Sequence, residues 1–326
     1  MKERTKRYLI ASGAAAGMGA VAAGAAYLTT RILVKTALDR EEPTLMKMAG
    51  DRISGALIDP EVRRRIEEGE QKLLASDTET VTITAADGTE LVGHWHACPG
   101  AKRAVLAMHG WRSSWSRDFG IISDFIYDNQ CSVLFAEQRG QNNSGGEYMG
   151  FGLKERFDCL DWANWIDQRT GRTLPIYFCG ISMGATTVLM AAGLDLPDNV
   201  RGIISDCGFT SPEEIWRHVA RDNLHISYRL HKAMAESMYA RRLQINADDY
   251  STLDALGETK TPVLFIHGTD DHFVPVEMTF QNYKVCRSHK KLFVVPGADH
   301  GMSYLVDRAG YEQAVKEFWK EIEGAD

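Results

Sequence analysis

Six short, nearly continuous apolar runs recur along the chain, at 104–108, 131–136, 175–179, 200–205, 262–266 and 291–295, each followed by a loop and a stretch with helical spacing. Runs without polar alternation fit strands buried on both faces, and strands that alternate with helices build a parallel sheet. Ahead of them, Thr80 to Ala85 and Glu90 to His96 alternate around Asp87-Gly88, which predicts a hairpin. The longest interruption, about residues 209–260, is rich in Trp, Tyr, Met and His and reads as an inserted helical cap rather than another crossover.

With 326 residues, 44% hydrophobic and 25% charged, the chain suits one large α/β domain with an insertion. A net charge of −7 argues against a nucleic-acid partner, because phosphate binding needs clustered Lys and Arg. The six cysteines (Cys98, Cys131, Cys159, Cys179, Cys207 and Cys286) form no C-x-x-C pair, so they read as buried free thiols, with no metal site and no disulfide scaffold expected. His94 and His96 share one strand face but lack a third ligand nearby, and read as a surface or half-buried pair.

Tyr8 to Thr30 is a run of 23 residues without a charge, enough for about 30 Å of helix. Nine of the 23 are Ala and four are Gly, so insertion into a bilayer would be marginal, and a basic start with small-x-small sites such as Ala23-Gly24-Ala25 also fits a signal peptide. An uncleaved single-pass membrane anchor is the expectation, with secretion after cleavage as the alternative. Basic residues on both sides leave the facing of the remaining chain open. Gly13 to Gly17 spells G-x-x-x-G and Gly17 to Ala22 spells G-x-G-x-x-A, but both lie in an Ala/Gly tract with no preceding strand, so neither dimerisation nor nucleotide binding is expected there.

Chemistry enters at Gly180-Ile181-Ser182-Met183-Gly184, which follows the third apolar run and opens onto a helical stretch. Strand, tight turn and helix are the context of a nucleophile elbow, whose small residues two before and two after the serine prevent collision of the turn with strand and helix. A serine hydroxyl needs a base, an acid that orients the base, and donors for an oxyanion. His300, in the loop after the last apolar run, is the candidate base. The candidate acid lies in Thr269-Asp270-Asp271-His272; Asp271 is preferred because it falls three residues before Val274-Pro275, where a helix should begin, while Asp270 suits a turn and Asp206 is a weaker substitute. The backbone N–H groups of Met183 and of Trp111, in His109-Gly110-Trp111 after the first parallel strand, are the candidate oxyanion donors, with His109 bracing that loop.

Taken in order, His109-Gly110-Trp111, Arg139-Gly140 with Ser144-Gly145, Gly180 to Gly184, Asp271 to Pro275 and His300-Gly301 resemble the α/β-hydrolase superfamily from about Thr80 to Glu323, most closely its bacterial single-pass esterase or peptidase-like members. The family's Asp-x-Arg-Gly-His-Gly-x-Ser is altered here, with Glu137, Gln141 and Asn142 in place of Asp, His and the second Gly; Asn tolerates left-handed backbone, so the turn can survive. The resemblance implies an α/β-hydrolase fold with a mostly parallel sheet and helices on both faces. The expected division is an anchor or signal segment over 1–40, a helical linker over 41–78, and a hydrolase domain over 79–326 with its cap near 209–260. The expected activity is cofactor-free hydrolysis of a small-molecule or lipid-like carboxylic ester through Ser182, His300 and Asp271. Peptide, amide or thioester hydrolysis on the same machinery, and a non-catalytic membrane-tethered binding protein, stay open as alternatives.

Overall fold

The computed structural model describes residues 21–41 and 59–324. Eight strands form one sheet: β1 (Glu79–Thr84), β2 (Glu90–His96), β3 (Arg103–Met108), β4 (Cys131–Ala136), β5 (Ile176–Ile181), β6 (Val200–Asp206), β7 (Val263–Gly268) and β8 (Lys290–Val295). Their spatial order is β1-β2-β4-β3-β5-β6-β7-β8. β2 runs antiparallel to both neighbours, and every pairing from β4 to β8 is parallel. This is the α/β-hydrolase fold.

The apolar runs became strands because both faces of the sheet are covered. On one face, the helices Glu155–Arg169 and Met183–Ala191 press Trp162, Ile166, Val188 and Leu189 against Leu106, Leu134 and Phe178. On the other, Phe119, Phe125, Phe318 and Trp319 pack on Val133, Phe135 and Tyr177. Burying such side chains is worth roughly 1.5–3 kcal/mol each, so register is set by the core. The hairpin turn closes as expected, with Gly88 at φ 86° and Ala85 N–H donating to Thr89 O at 2.8 Å.

Within the long interruption, the helices Pro212–His218 and Tyr228–Leu243 flank a π-helical turn, Val219–Asn223. They gather a third apolar cluster of Phe151, Met183, Phe209, Trp216 and Tyr239 above the carboxyl ends of the strands. The following helix, Thr252–Glu258, packs instead beside Met183–Ala191 and Val276–Val285, in the crossover position between β6 and β7.

Residues 21–38 are helical, and their carboxyl-terminal half docks into that third cluster through Val34 and Leu38. Among the described residues no helix is long and apolar enough to cross a membrane. The described helix carries the end of the uncharged run, while the first part of that run, the G-x-x-x-G match and most of the G-x-G-x-x-A match lie outside the described residues.

Candidate active site

All the candidate groups issue from the carboxyl ends of parallel strands, the edge at which open α/β sheets gather ligands. Ser182 follows β5 at φ 56°, ψ −116°, a region that L-residues rarely occupy. The two glycines of its motif have direct steric reasons. A Cβ on Gly180 would lie 2.3 Å from Gly184 O, and one on Gly184 would lie 1.9 Å from Met108 O, so neither position can carry a side chain while the turn stays this tight. The serine's own N–H donates to Asp206 O at 2.9 Å, which ties the elbow to β6. Backbone held in such a region costs about 1–3 kcal/mol. Ser182→Gly is therefore expected to melt higher than Ser182→Ala, by about 1 kcal/mol of stability in a denaturant titration, although both lack the hydroxyl.

His300 Nε2 lies 2.8 Å from Ser182 Oγ, and its Nδ1 lies 2.7 Å from Asp271 Oδ2. Asp271 is the aspartate brought to the imidazole; Asp270 points outward and accepts from Thr269 Oγ1 at 2.7 Å. Asp206 is buried and accepts from Ser303 Oγ at 3.1 Å. The Asp271 carboxylate has two further kinds of support. Oδ1 accepts from the N–H groups of Phe273 and Val274 at 2.9 and 2.8 Å, and Oδ2 is also 3.1 Å from His267 Nε2. His267 Nε2 faces two acceptors, Asp271 Oδ2 and Val274 O, so it carries the proton there, and its Nδ1 meets Thr279 Oγ1 at 2.7 Å.

These contacts set the charges. Burial works against the Asp271 carboxylate, but the nearby His300 and the hydrogen bonds from both histidines overcome it and hold its pKa well below the usual carboxylate range. Burial likewise opposes protonation of His300, yet the adjoining Cys207 sulfur and Asp271 carboxylate raise its pKa well above the ordinary value of 6.5. Cys207 is itself pushed up to about 11 by burial and is a neutral thiol at neutral pH, so the carboxylate supplies the electrostatic part of that rise. Two residues in this neighbourhood have roles that the chain's local patterns did not assign: His267, four residues before Asp271 at the end of β7, and Cys207, held at φ 49° just after β6. Cys207, Asp271 and His300 offer three ligand atoms within 4.8 Å of one another, but His300 and Asp271 already use theirs on each other and on Ser182.

A pH dependence follows from the sign of the His300 shift. A base must be neutral, so kcat/KM is expected to fall as pH drops through a pKa lying above 6.5. Stability runs the other way. A raised folded pKa stabilises fully below the unfolded value near 6.5, and that contribution is lost as pH rises through the folded value. Rate profiles and melting temperatures over the same pH series check both slopes.

The loop after β3 approaches closely, and a Cβ on Gly110 would sit 3.4 Å from Ser182 Cβ. Gly110 N–H donates to Asp118 Oδ2 at 2.6 Å and Arg112 N–H to Gln141 Oε1 at 2.5 Å. Among the described residues, the intervening Trp111 N–H and the Met183 N–H have no hydrogen-bond partner. Met183 opens the helix Met183–Ala191, so its amide also carries the positive end of the helix dipole. His109 is buried, with Nδ1 2.8 Å from Gly110 O and Nε2 accepting from Gln138 N–H at 3.1 Å.

The altered loop after β4 keeps its turn. Asn142 sits at φ 50° and donates from Nδ2 to Ser113 O at 2.9 Å, while Glu137 accepts from Asn143 N–H at 2.5 Å and pairs with His94 Nε2 at 2.8 Å. His94 stacks on Trp115 and His96 on Tyr127. Five of the six cysteines are buried free thiols and Cys98 is half-buried. Two surface grooves, one between Gly193, Arg201, Lys260 and His289 and one beside Trp319 and Glu323, contain none of the candidate groups.

The chain and its fold have counterparts among known proteins. The sequence profile of the prolyl oligopeptidase family matches residues 121–325. YqkD of Bacillus subtilis is 28% identical over 240 residues, covering 72% of this chain and 77% of that protein. YfhR of Escherichia coli K12 is 23% identical over 250 residues, covering 74% and 80%. Among solved structures, the Pyrococcus furiosus esterase Pf2001 aligns with a TM-score of 0.61 at 22% identity, over 77% of this chain and 93% of that one. Est1E of Butyrivibrio proteoclasticus with bound ferulic acid aligns at 0.56 and 19% identity, over 75% and 99%.

Proposed function

The chain belongs to the prolyl oligopeptidase family and is a serine hydrolase of the α/β-hydrolase fold; from that premise we propose that Ser182, His300 and Asp271 are its catalytic triad and that it cleaves carboxylic esters through an acyl-enzyme. The observation that carries this reading is the unbroken path from Ser182 Oγ to His300 Nε2 at 2.8 Å and from Nδ1 to Asp271 Oδ2 at 2.7 Å.

Because Nδ1 donates to the carboxylate, the Nε2 lone pair faces the serine hydroxyl and takes its proton as Oγ attacks the carbonyl carbon. The negative charge that develops on the carbonyl oxygen is held by the Trp111 and Met183 amides, each worth roughly 3–4 kcal/mol in such sites. His300 then passes its proton to the leaving group. Water repeats both transfers and releases the acid.

The helices Pro212–His218 and Tyr228–Leu243 serve as a cap over the site. With Trp111, Phe151, Trp216 and Phe273 they form the apolar cluster that includes Met183, the residue after the nucleophile, which suits an apolar acyl group. Across esters of rising chain length and a matching set of aminoacyl amides, kcat/KM is expected to favour the esters by at least about 100-fold. Faster turnover of the amides would instead support peptide-bond hydrolysis, the reading that the family name favours. A protein that labels with no fluorophosphonate would be a binding module of this fold. The uncharged run ahead of residue 30 is read as a membrane attachment, tested by whether the protein sediments with membranes, with protease access to intact cells reporting which side the domain faces.

A further inference from the structure

The helix 21–38 ends beside the loop that follows β3, and the way its end is capped carries a consequence for catalysis. The last carbonyls of a helix have no partner within it. Here Asp39 N–H takes Lys35 O, Met149 N–H takes Leu38 O at 2.8 Å, and the rest are met by side chains of two successive loop residues. The Trp111 indole Nε1 donates to Ala37 O at 2.9 Å. The Arg112 guanidinium forks onto Thr36 O at 3.1 and 2.8 Å and onto Asp39 O at 2.7 Å, placing a cation at the negative end of the helix dipole. Arg112 itself holds left-handed backbone at φ 51°.

The helix end is fixed from the other side as well. Asp39 pairs with Arg242 Nε at 2.9 Å, Thr30 Oγ1 meets His231 Nδ1 at 2.6 Å, and Leu38 is fully buried in the cluster that includes Met183.

We infer that residues 30–40 are a positioning strap for the oxyanion hole: by engaging Trp111 and Arg112, they hold the Trp111 amide at the distance from Ser182 that transition-state binding needs. The inference rests on the reading of Trp111 N–H as an oxyanion donor. It makes the end of the N-terminal helix part of the catalytic apparatus, so that displacement of this helix lowers turnover without touching the triad.

The test compares full-length wild type with Arg112→Met, Arg112→Lys and Trp111→Phe, the last keeping the amide and losing only the indole donor. Readouts are kcat per site titrated to end point with a fluorophosphonate, KM, the inhibition constant of a trifluoromethyl ketone analogue of the same ester, and melting temperature. Loss of an oxyanion donor costs about 10²–10³ in kcat, and misplacement by about 1 Å costs up to about 100-fold. Arg112→Met is therefore expected to lower kcat by roughly 10- to 100-fold with KM within about threefold. Affinity for the ketone should weaken in proportion, and Arg112→Lys should recover most of the loss.

A kcat per titrated site within about twofold of wild type in both Arg112→Met and Trp111→Phe would overturn the inference while leaving the triad intact. Wild type that neither labels nor turns over would instead remove the triad reading beneath it. Should Arg112→Met lose cooperative melting, Thr30→Val with Val34→Ala loosens the helix without altering the loop. Parallel falls in kcat and ketone affinity then support the strap, and unchanged values overturn it.

Discussion

Ser182→Ala is expected to lower ester turnover by about 10⁵- to 10⁶-fold and to abolish labelling by a fluorophosphonate. The substitution removes one oxygen and nothing that holds the elbow. The strained turn is fixed by the Ser182 N–H to Asp206 O bond and by the close approach of Gly180 and Gly184, none of which involves Oγ. The variant should therefore melt near wild type, which separates loss of chemistry from loss of fold. Turnover that survives in a preparation free of contaminating hydrolase would remove Ser182 as nucleophile.

Asp271→Asn is the more discriminating change, with an expected fall of about 10⁴ in kcat and little change in KM. Phe273 and Val274 both donate to Oδ1, so the carbonyl oxygen of an asparagine would settle there and its NH2 would face His300 Nδ1 and His267 Nε2. A donor opposite Nδ1 favours the tautomer with its proton on Nε2, and that nitrogen can no longer accept from Ser182. The same NH2 also meets the His267 N–H, so modest destabilisation should accompany the kinetic loss. Asp270→Asn, altering an exposed group bonded only to Thr269 among the described residues, is the control expected to keep wild-type turnover. If Asp270→Asn were the inactive variant, the assignment of the acid would be reversed.

The fold was legible because its determinants are local. Continuous apolar runs such as 131–136 mark strands with both faces covered, and Asp87-Gly88 between alternating segments marks a hairpin. For the site, the sequence could supply the strand-turn-helix setting of Ser182 and the post-strand loops of Asp271 and His300, since these depend on neighbours within a few residues. It could not supply what distant segments bring together. Nothing near Cys207 indicates a thiol against His300. His267 lies only four residues before Asp271, yet it reads as one more residue of a buried strand until the loop after β7 turns the carboxylate back onto it. The N-terminal helix shows the limit most clearly. The uncharged run 8–30 reads as a lipid-seeking segment, and nothing in it foretells that the turns after it pack on Trp111 and Tyr239 through contacts that span from about 70 to 200 residues of chain.

Four donors converge on the Asp271 carboxylate, and this determines how the enzyme should respond to acid. Its negative charge persists far below the range in which His300 takes up a proton, so the two groups do not exchange protons in overlapping steps. Activity should therefore disappear toward acid as a simple one-proton titration with unit slope, fully recovered on neutralisation, until pH falls far enough to discharge the carboxylate and loosen the β7 loop it holds.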